Sequence, residues 1–250
     1  MENKTALGLV ALLAVAGAGV GLYAVRGRNA APSPGLSSPA AAPEAAPTGL
    51  PALDESDPYV REKSFALSTD LSVRSWLSSD SLVARFVGAL NRIAKGEIPR
   101  ESLGAFGPRG KYPTTKRNGR IFADPAGGAR YAAAVGAVKS IDAAAAARLF
   151  DELQPLLDAA YAALGEKGGD SRELFFSAVR ELLAAPVPAG EPELKPGKKG
   201  IGWVYADEKL ERLSPAQKQL MRLGPAGQKA VQEKLRAIAL ALGRPGSRLE

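Results

Sequence analysis

Residues Ala6 to Val25 read ALGLVALLAVAGAGVGLYAV, twenty positions without a charge. That is the length an α-helix needs to cross the hydrocarbon core of a bilayer. Lys4 brackets the stretch on one side and Arg26 with Arg28 on the other, and Tyr23 stands where an interfacial aromatic anchors a span. The triplet Ala14-Val15-Ala16 has the form of a signal-peptide cleavage site, but cutting there leaves the apolar terminus GAGVGLYAV. An uncleaved transmembrane anchor within residues 1–28 is the expectation. Gly17 and Gly21 form a GxxxG spacing, which a Gly-rich span produces too cheaply to imply a dimer. The next stretch, residues 29–49, is NAAPSPGLSSPAAAPEAAPTG, almost all Pro, Ala and Ser with one charge. Such a run cannot assemble a core and reads as a disordered, semi-rigid tether. Folding is thereby confined to residues 50–243, with 244–250 expected as a disordered tail.

Residues 50–243 are enough for one domain with its own core. The chain contains no His and no Cys, which removes the usual zinc ligand sets, the thiolate nucleophile, the disulfide and the Ser-His-Asp triad. The net charge of +7 is unevenly spread, with residues 195–250 carrying 12 Lys and Arg against 5 Asp and Glu. Basic regions of this kind attract anionic partners or form solvated helix faces.

The stretch LPALDESDPYV, Leu50 to Val60, gathers Asp54, Glu55 and Asp57. It lacks the Gly and the distal Glu of a calcium loop. Asp-Pro is a helix opening, with Asp57 as cap and Pro58 in the first turn. Asp80 opens a helix in which Leu82, Val83, Phe86, Val87, Leu90, Ile93 and Ala94 share one face, ending at Gly96. Ser140 opens a helix through Leu149, Leu153, Leu156, Leu157, Ala160, Tyr161 and Leu164, which Pro155 should kink or break and Gly165 should end. Asp170 with Glu173 reads as a capping box ahead of Leu174, Phe175, Ala178, Val179, Leu182 and Leu183, and Pro186 stops that helix. RLSPAQK and RLGPAGQK are two helix starts with Pro in the first turn, and the last helix presents Val231, Leu235, Ile238 and Leu242.

Two stretches break the helical period. KYPTTKRNGRIF contains Asn118-Gly119, the strongest short hairpin signal, and IGWVY reads as a short strand. The expected fold class is mainly α: a transmembrane helix, a Pro/Ala-rich tether, then a compact multi-helix domain with a small β-hairpin.

The stretches LPALDESDPYV, RFV with AKGEIPR, DELQPLLDAAYAALG, YADEKLERLSPAQKQLMRLGP and KLRAIALAL occur in this order. In that order the chain resembles the uncharacterised proteobacterial family catalogued as domain of unknown function 3014, over Leu50 to Leu242. LxxLDESD and LSPAQKQLxRxGP carry most of the likeness. The resemblance implies an N-terminal membrane segment followed by a Pro/Ala-rich spacer, and no assigned activity or catalytic residues. It departs from the family at DPAGGARYAAAVGAV, where the pattern is richer in aromatic and polar residues.

No catalytic set, cofactor site or metal site is expected. GAFGPRGKY lacks the second Gly and the Ser or Thr of a phosphate-binding loop. Asp151-Glu152 and Asp207-Glu208 are adjacent on helices and point about 100° apart, so neither pair converges on a substrate. The candidate partner-binding residues are Arg109, Lys111, Tyr112, Lys116, Arg117 and Arg120, cations interleaved with aromatics around the hairpin, Phe122 included. The expected role is a non-enzymatic, membrane-anchored binding or scaffold module for an envelope protein or anionic envelope polymer. The alternative is a carboxylate-dependent envelope glycan hydrolase or lyase. Arg26 and Arg28 mildly favour a cytoplasmic domain by the positive-inside rule. The tether and the resemblance favour the opposite. The expectation is a single-pass inner-membrane protein with its folded domain in the periplasm; nucleic acid becomes a candidate partner only for a cytoplasmic domain.

Overall fold

The computed structural model describes residues 49–65, 70–100, 112–165, 169–200 and 202–244. The Ala6–Val25 stretch, the tether, Arg109, Lys111 and residues 245–250 lie outside these. Among the described residues, no helix is long and apolar enough to cross a membrane.

A short 3-10 turn at Leu53–Glu55 leads into α1 (Asp57–Phe65), α2 (Leu71–Leu77) and α3 (Leu82–Ala94). The hairpin strands β1 (Thr114–Arg117) and β2 (Arg120–Ala123) follow, then α4 (Ala126–Ala129), α5 (Ala132–Lys139), α6 (Ala143–Ala163) and α7 (Ser171–Leu183). Strands β3 (Glu193–Pro196) and β4 (Trp203–Tyr205) precede α8 (Glu208–Glu211), α9 (Pro215–Met221) and α10 (Gly224–Ala241).

Helix α3 is the hub. Leu82, Val83, Phe86, Val87, Ala89, Leu90 and Ile93 are all buried, because α3 packs on α7, α6 and α1 together. Its start differs from the expected Asp80 cap. Ser81 adopts a left-handed conformation without capping, and the Asp57 carboxylate accepts from Ser81 N at 2.6 Å and Leu82 N at 2.8 Å. The opening acid therefore caps a helix more than twenty residues away, where it meets the positive helix end.

Pro155 does not break α6, which runs unbroken over 21 residues from its Asp142 cap. Proline inside a helix costs about 3 kcal/mol. Leu153, Leu156 and Leu157, all buried around it, hold the helix in the core. Asp170 caps α7 through Arg172 N at 2.8 Å, while Glu173 turns away to pair with Arg244. The capping box sits instead at α9, between Ser214 and Gln217.

The orphan carbonyls at the α7 C-terminus are taken up by α10. Gln232 Nε2 donates to the carbonyls of Leu182 and Ala185 at 3.1 and 2.9 Å, and Gln228 Nε2 to Ala185 and Pro186 at 3.1 and 3.0 Å. These two buried glutamines let a helix end lie inside the protein without an unsatisfied backbone. Gly96 closes the same region. A Cβ on it would lie 2.8 Å from Ser214 Cβ, and its carbonyl accepts from Ala216 N at 3.0 Å. The AKGEIPR and LSPAQK stretches thus touch.

The hairpin forms at Asn118-Gly119, both with positive φ. It belongs to a larger sheet than the sequence suggested: a four-stranded antiparallel meander in the order β1-β2-β3-β4. Ile121 pairs with Leu194, and Leu194 with Tyr205. One face of this sheet covers a second, smaller core of Ala123, Leu194, Tyr205 and Met221.

Candidate functional site

A solvent-open pocket of about 450 Å³ lies where the sheet meets α4, α5 and the α9–α10 junction. Ligand sites commonly measure about 300–1,000 Å³, so the size suits a small molecule or the end of a peptide. Its walls are apolar, from Ala123, Ala129, Val135, Met221 and Leu223, with prolines and glycines at the edges. The polar side chains that line it are Tyr112, Tyr205, Asp124, Glu191 and Arg222.

Backbone contact shapes this pocket. Helix α4 lies directly on the α9–α10 junction: a Cβ on Gly128 would come 2.6 Å from the Leu223 carbonyl oxygen. A Cβ on Gly127 would meet the Tyr112 ring at 3.4 Å. The Ala/Gly-rich stretch DPAGGARYAAAVGAV therefore builds one wall, and Ala134, Ala137 and Val138 root it in the main core.

The two tyrosines are held neutral. Burial pushes Tyr205 up to about 12 and raises Tyr112, while the nearby Arg222 charge opposes the shift in both. An unfolded tyrosine ionises at its ordinary value near 10, so the unfolded chain loses a proton first as pH rises. Tyr205's contribution is fully present below pH 10 and is lost as pH climbs through about 12. The expected loss is about 2–3 kcal/mol of unfolding free energy. Urea titrations at pH 9 and pH 11.5 check this: Tyr205→Phe should flatten the drop, and an equal drop in the variant contradicts it.

The carboxylates are already engaged. Asp124 Oδ2 accepts from Thr115 Oγ1 at 2.6 Å and Oδ1 from Ala126 N at 2.8 Å, which hold its carboxyl below the usual range. Glu191 pairs with Arg117.

Of the partner-binding candidates read from the sequence, Arg109 and Lys111 lie outside the described residues. Tyr112 turns into the pocket. Lys116 is exposed on β1. Arg117 and Arg120 both stack over Phe122, at 4.6 and 5.6 Å from its centroid. Arg117 pairs with Glu191, and Arg120 holds Glu193 through two nitrogens, Nε to Oε1 at 2.8 Å. This bond draws the Glu193 carboxyl below its ordinary range. Tyr112 thus lines the pocket, while the hairpin arginines are paired by Glu191, just ahead of β3, and by Glu193 within it. Reversing Arg117 and Arg120 to Glu is expected to lower the melting temperature slightly, with recovery when Glu191 and Glu193 become Arg. No recovery in the quadruple variant counts against these pairs.

Asp151 and Glu152 do diverge, to Arg172 at 2.5 Å and to Tyr59 at 2.6 Å. Among the described residues, no group of three or more acidic side chains is placed to hold a metal. The sequence reading misses Asp124, Glu191, Tyr205 and Arg222. The one available signal is Gly127-Gly128, since paired glycines within a helical pattern mark a close backbone approach.

Among curated proteins and among solved structures, nothing matches the chain. The family described as "Protein of unknown function (DUF3014)" matches residues 82–239, from the start of α3 into the last turn of α10. That is more than half of the chain and includes every residue lining the pocket. The chain belongs to this family, DUF3014.

Proposed function

We propose that the chain is a single-pass, membrane-anchored envelope protein whose folded domain is a non-enzymatic binding module with this pocket as its ligand site. The carrying observation is the pocket's make-up: apolar walls, a volume in the ligand range, and carboxylates committed to internal partners. A protein partner is favoured over an anionic envelope polymer, because Glu191 and Glu193 offset the charge of Arg117 and Arg120. The uncharged stretch Ala6–Val25 and the Pro/Ala tether support an inner-membrane anchor with the domain in the periplasm.

The second reading, a carboxylate-dependent glycan hydrolase or lyase, draws on Asp124 and Glu191 lining one pocket. A general acid in that chemistry needs a raised pKa. Asp124 is held the other way.

A photo-reactive residue placed at Ala132, on the pocket wall, should give a discrete protein adduct in intact membranes. The same residue at Ala237, exposed farther along α10, should not. Equal adducts at both positions, or none at Ala132, overturn the choice of a protein partner for the pocket. Placement is tested by reporters fused after Gly49: an active alkaline phosphatase and a dark cytoplasm-maturing fluorescent protein are expected.

A further inference from the structure

Resting on the reading of this pocket as the ligand site, we infer that it takes a ligand with an apolar body and a single carboxylate, anchored by Arg222. Three charged residues line the pocket: Asp124, Glu191 and Arg222. Both carboxylates are occupied, Asp124 by the Thr115 hydroxyl and the Ala126 N–H, and Glu191 by Arg117. Arg222 is not matched in the same way. Its guanidinium Nη1 donates to the neutral Gln219 Oε1 at 3.1 Å, and among the described residues it forms no ion pair. The nearby Glu211 carboxylate is held by Lys218, so among the charged groups lining the pocket Arg222 is the one whose hydrogen-bonding capacity is left largely unfilled.

A guanidinium carries five N–H donors in a planar fork that matches the two oxygens of a carboxylate. The Tyr112 and Tyr205 phenols border the same space and stay protonated, so they add O–H donors and no opposing charge. One cation beside two already engaged carboxylates suits at most one further negative charge. A dianion would bring a second charge out of water without a partner. Ala123, Ala129, Val135, Met221, Leu223 and Pro192 supply the surface for an apolar body. Two sources present this chemistry: the C-terminal residues of a polypeptide and a free fatty acid of moderate length.

Calorimetry on the purified full-length protein separates them, using N-acetyl-Ala-Leu-Leu with a free carboxylate, the same peptide as its carboxamide, octanoate, and octanamide. The acid is expected to bind about tenfold more tightly than its matched amide, the contribution of a charge-assisted hydrogen bond. Arg222→Gln should abolish that preference and leave amide binding unchanged. Arg222→Lys, which keeps the charge and loses the fork, should retain part of it and controls for folding. Whichever acid shows the preference identifies the source. Equal binding of acid and amide overturns the carboxylate assignment while leaving the pocket a ligand site. Binding of none of the four also overturns it, and the Ala132 adduct then decides the protein-partner reading of the pocket separately.

Discussion

Leu235→Asp is expected to unfold the protein. Leu235 is 0% exposed, on the face of α10 that packs against α5, α6 and α7. Losing a buried leucine forfeits about 1.5–3 kcal/mol of apolar burial. The carboxylate adds several more, since a charge in an apolar core must be paired or protonated. The sum is about 5 kcal/mol or more, comparable with the whole stability of many domains. The damage also reaches beyond one helix. Gln228 and Gln232 sit on the same helix and hold the end of α7, so displacing α10 strands those carbonyls as well. Far-ultraviolet circular dichroism of the full-length chain should show no cooperative thermal transition. Leu235→Met is the control, because volume-conserving swaps cost less than about 1.5 kcal/mol. An unchanged melting temperature for Leu235→Asp contradicts this docking of α10.

What the sequence made legible was local. The periodic apolar faces of α3, α6, α7 and α10 were readable because each helix buries a stripe at helical spacing: Val231, Leu235, Ile238 and Leu242 are all buried as their spacing implies. The hairpin was readable because Asn118-Gly119 meets the positive φ demand of a two-residue turn. Features set by distant partners were hidden. Strand β3 carries Pro196 and no alternating run, and it forms because Ile121 and Phe122 offer an edge some seventy residues earlier. Asp57 reads as the cap of its own helix, yet its carboxylate serves α3. Pro155 reads as a break, and the surrounding leucines override it.

The site follows the same division. Arg117 and Arg120 were legible as hairpin cations, but Glu191 and Glu193, which change what those cations can do, arrive only through sheet pairing. Nothing local marks Arg222 or Tyr205 as neighbours of Tyr112. They meet because the meander and the α9–α10 junction enclose one small core against α4. The pocket forms where five separate stretches of the chain converge, and a linear reading has no access to that convergence.

Two glycine-to-alanine substitutions in adjacent helices test that convergence, because the geometry gives them opposite signs. Gly136 lies inside α5 with nothing within 4 Å of a Cβ built there. Gly136→Ala should therefore stabilise by about 0.5–1 kcal/mol, the helix-propensity gain of removing backbone freedom. Gly128 lies in α4 with the Leu223 carbonyl oxygen 2.6 Å from the same built atom, and the carbonyl carbon at 3.2 Å. Backbone cannot rotate aside as a side chain can, so α4 must move off the α9–α10 junction. Gly128→Ala is expected to cost about 1–3 kcal/mol, the range for forcing extra volume into a packed contact, and Gly128→Val more. The shift also changes the pocket, whose wall is this contact. Ligand affinity should fall in Gly128→Ala even at temperatures where the variant is fully folded, and stay unchanged in Gly136→Ala. Denaturant midpoints for the two variants decide the stability claim, and calorimetry with the tightest-binding acid decides the second. If both substitutions stabilise, α4 does not rest on the junction and the pocket loses the contact that defines it.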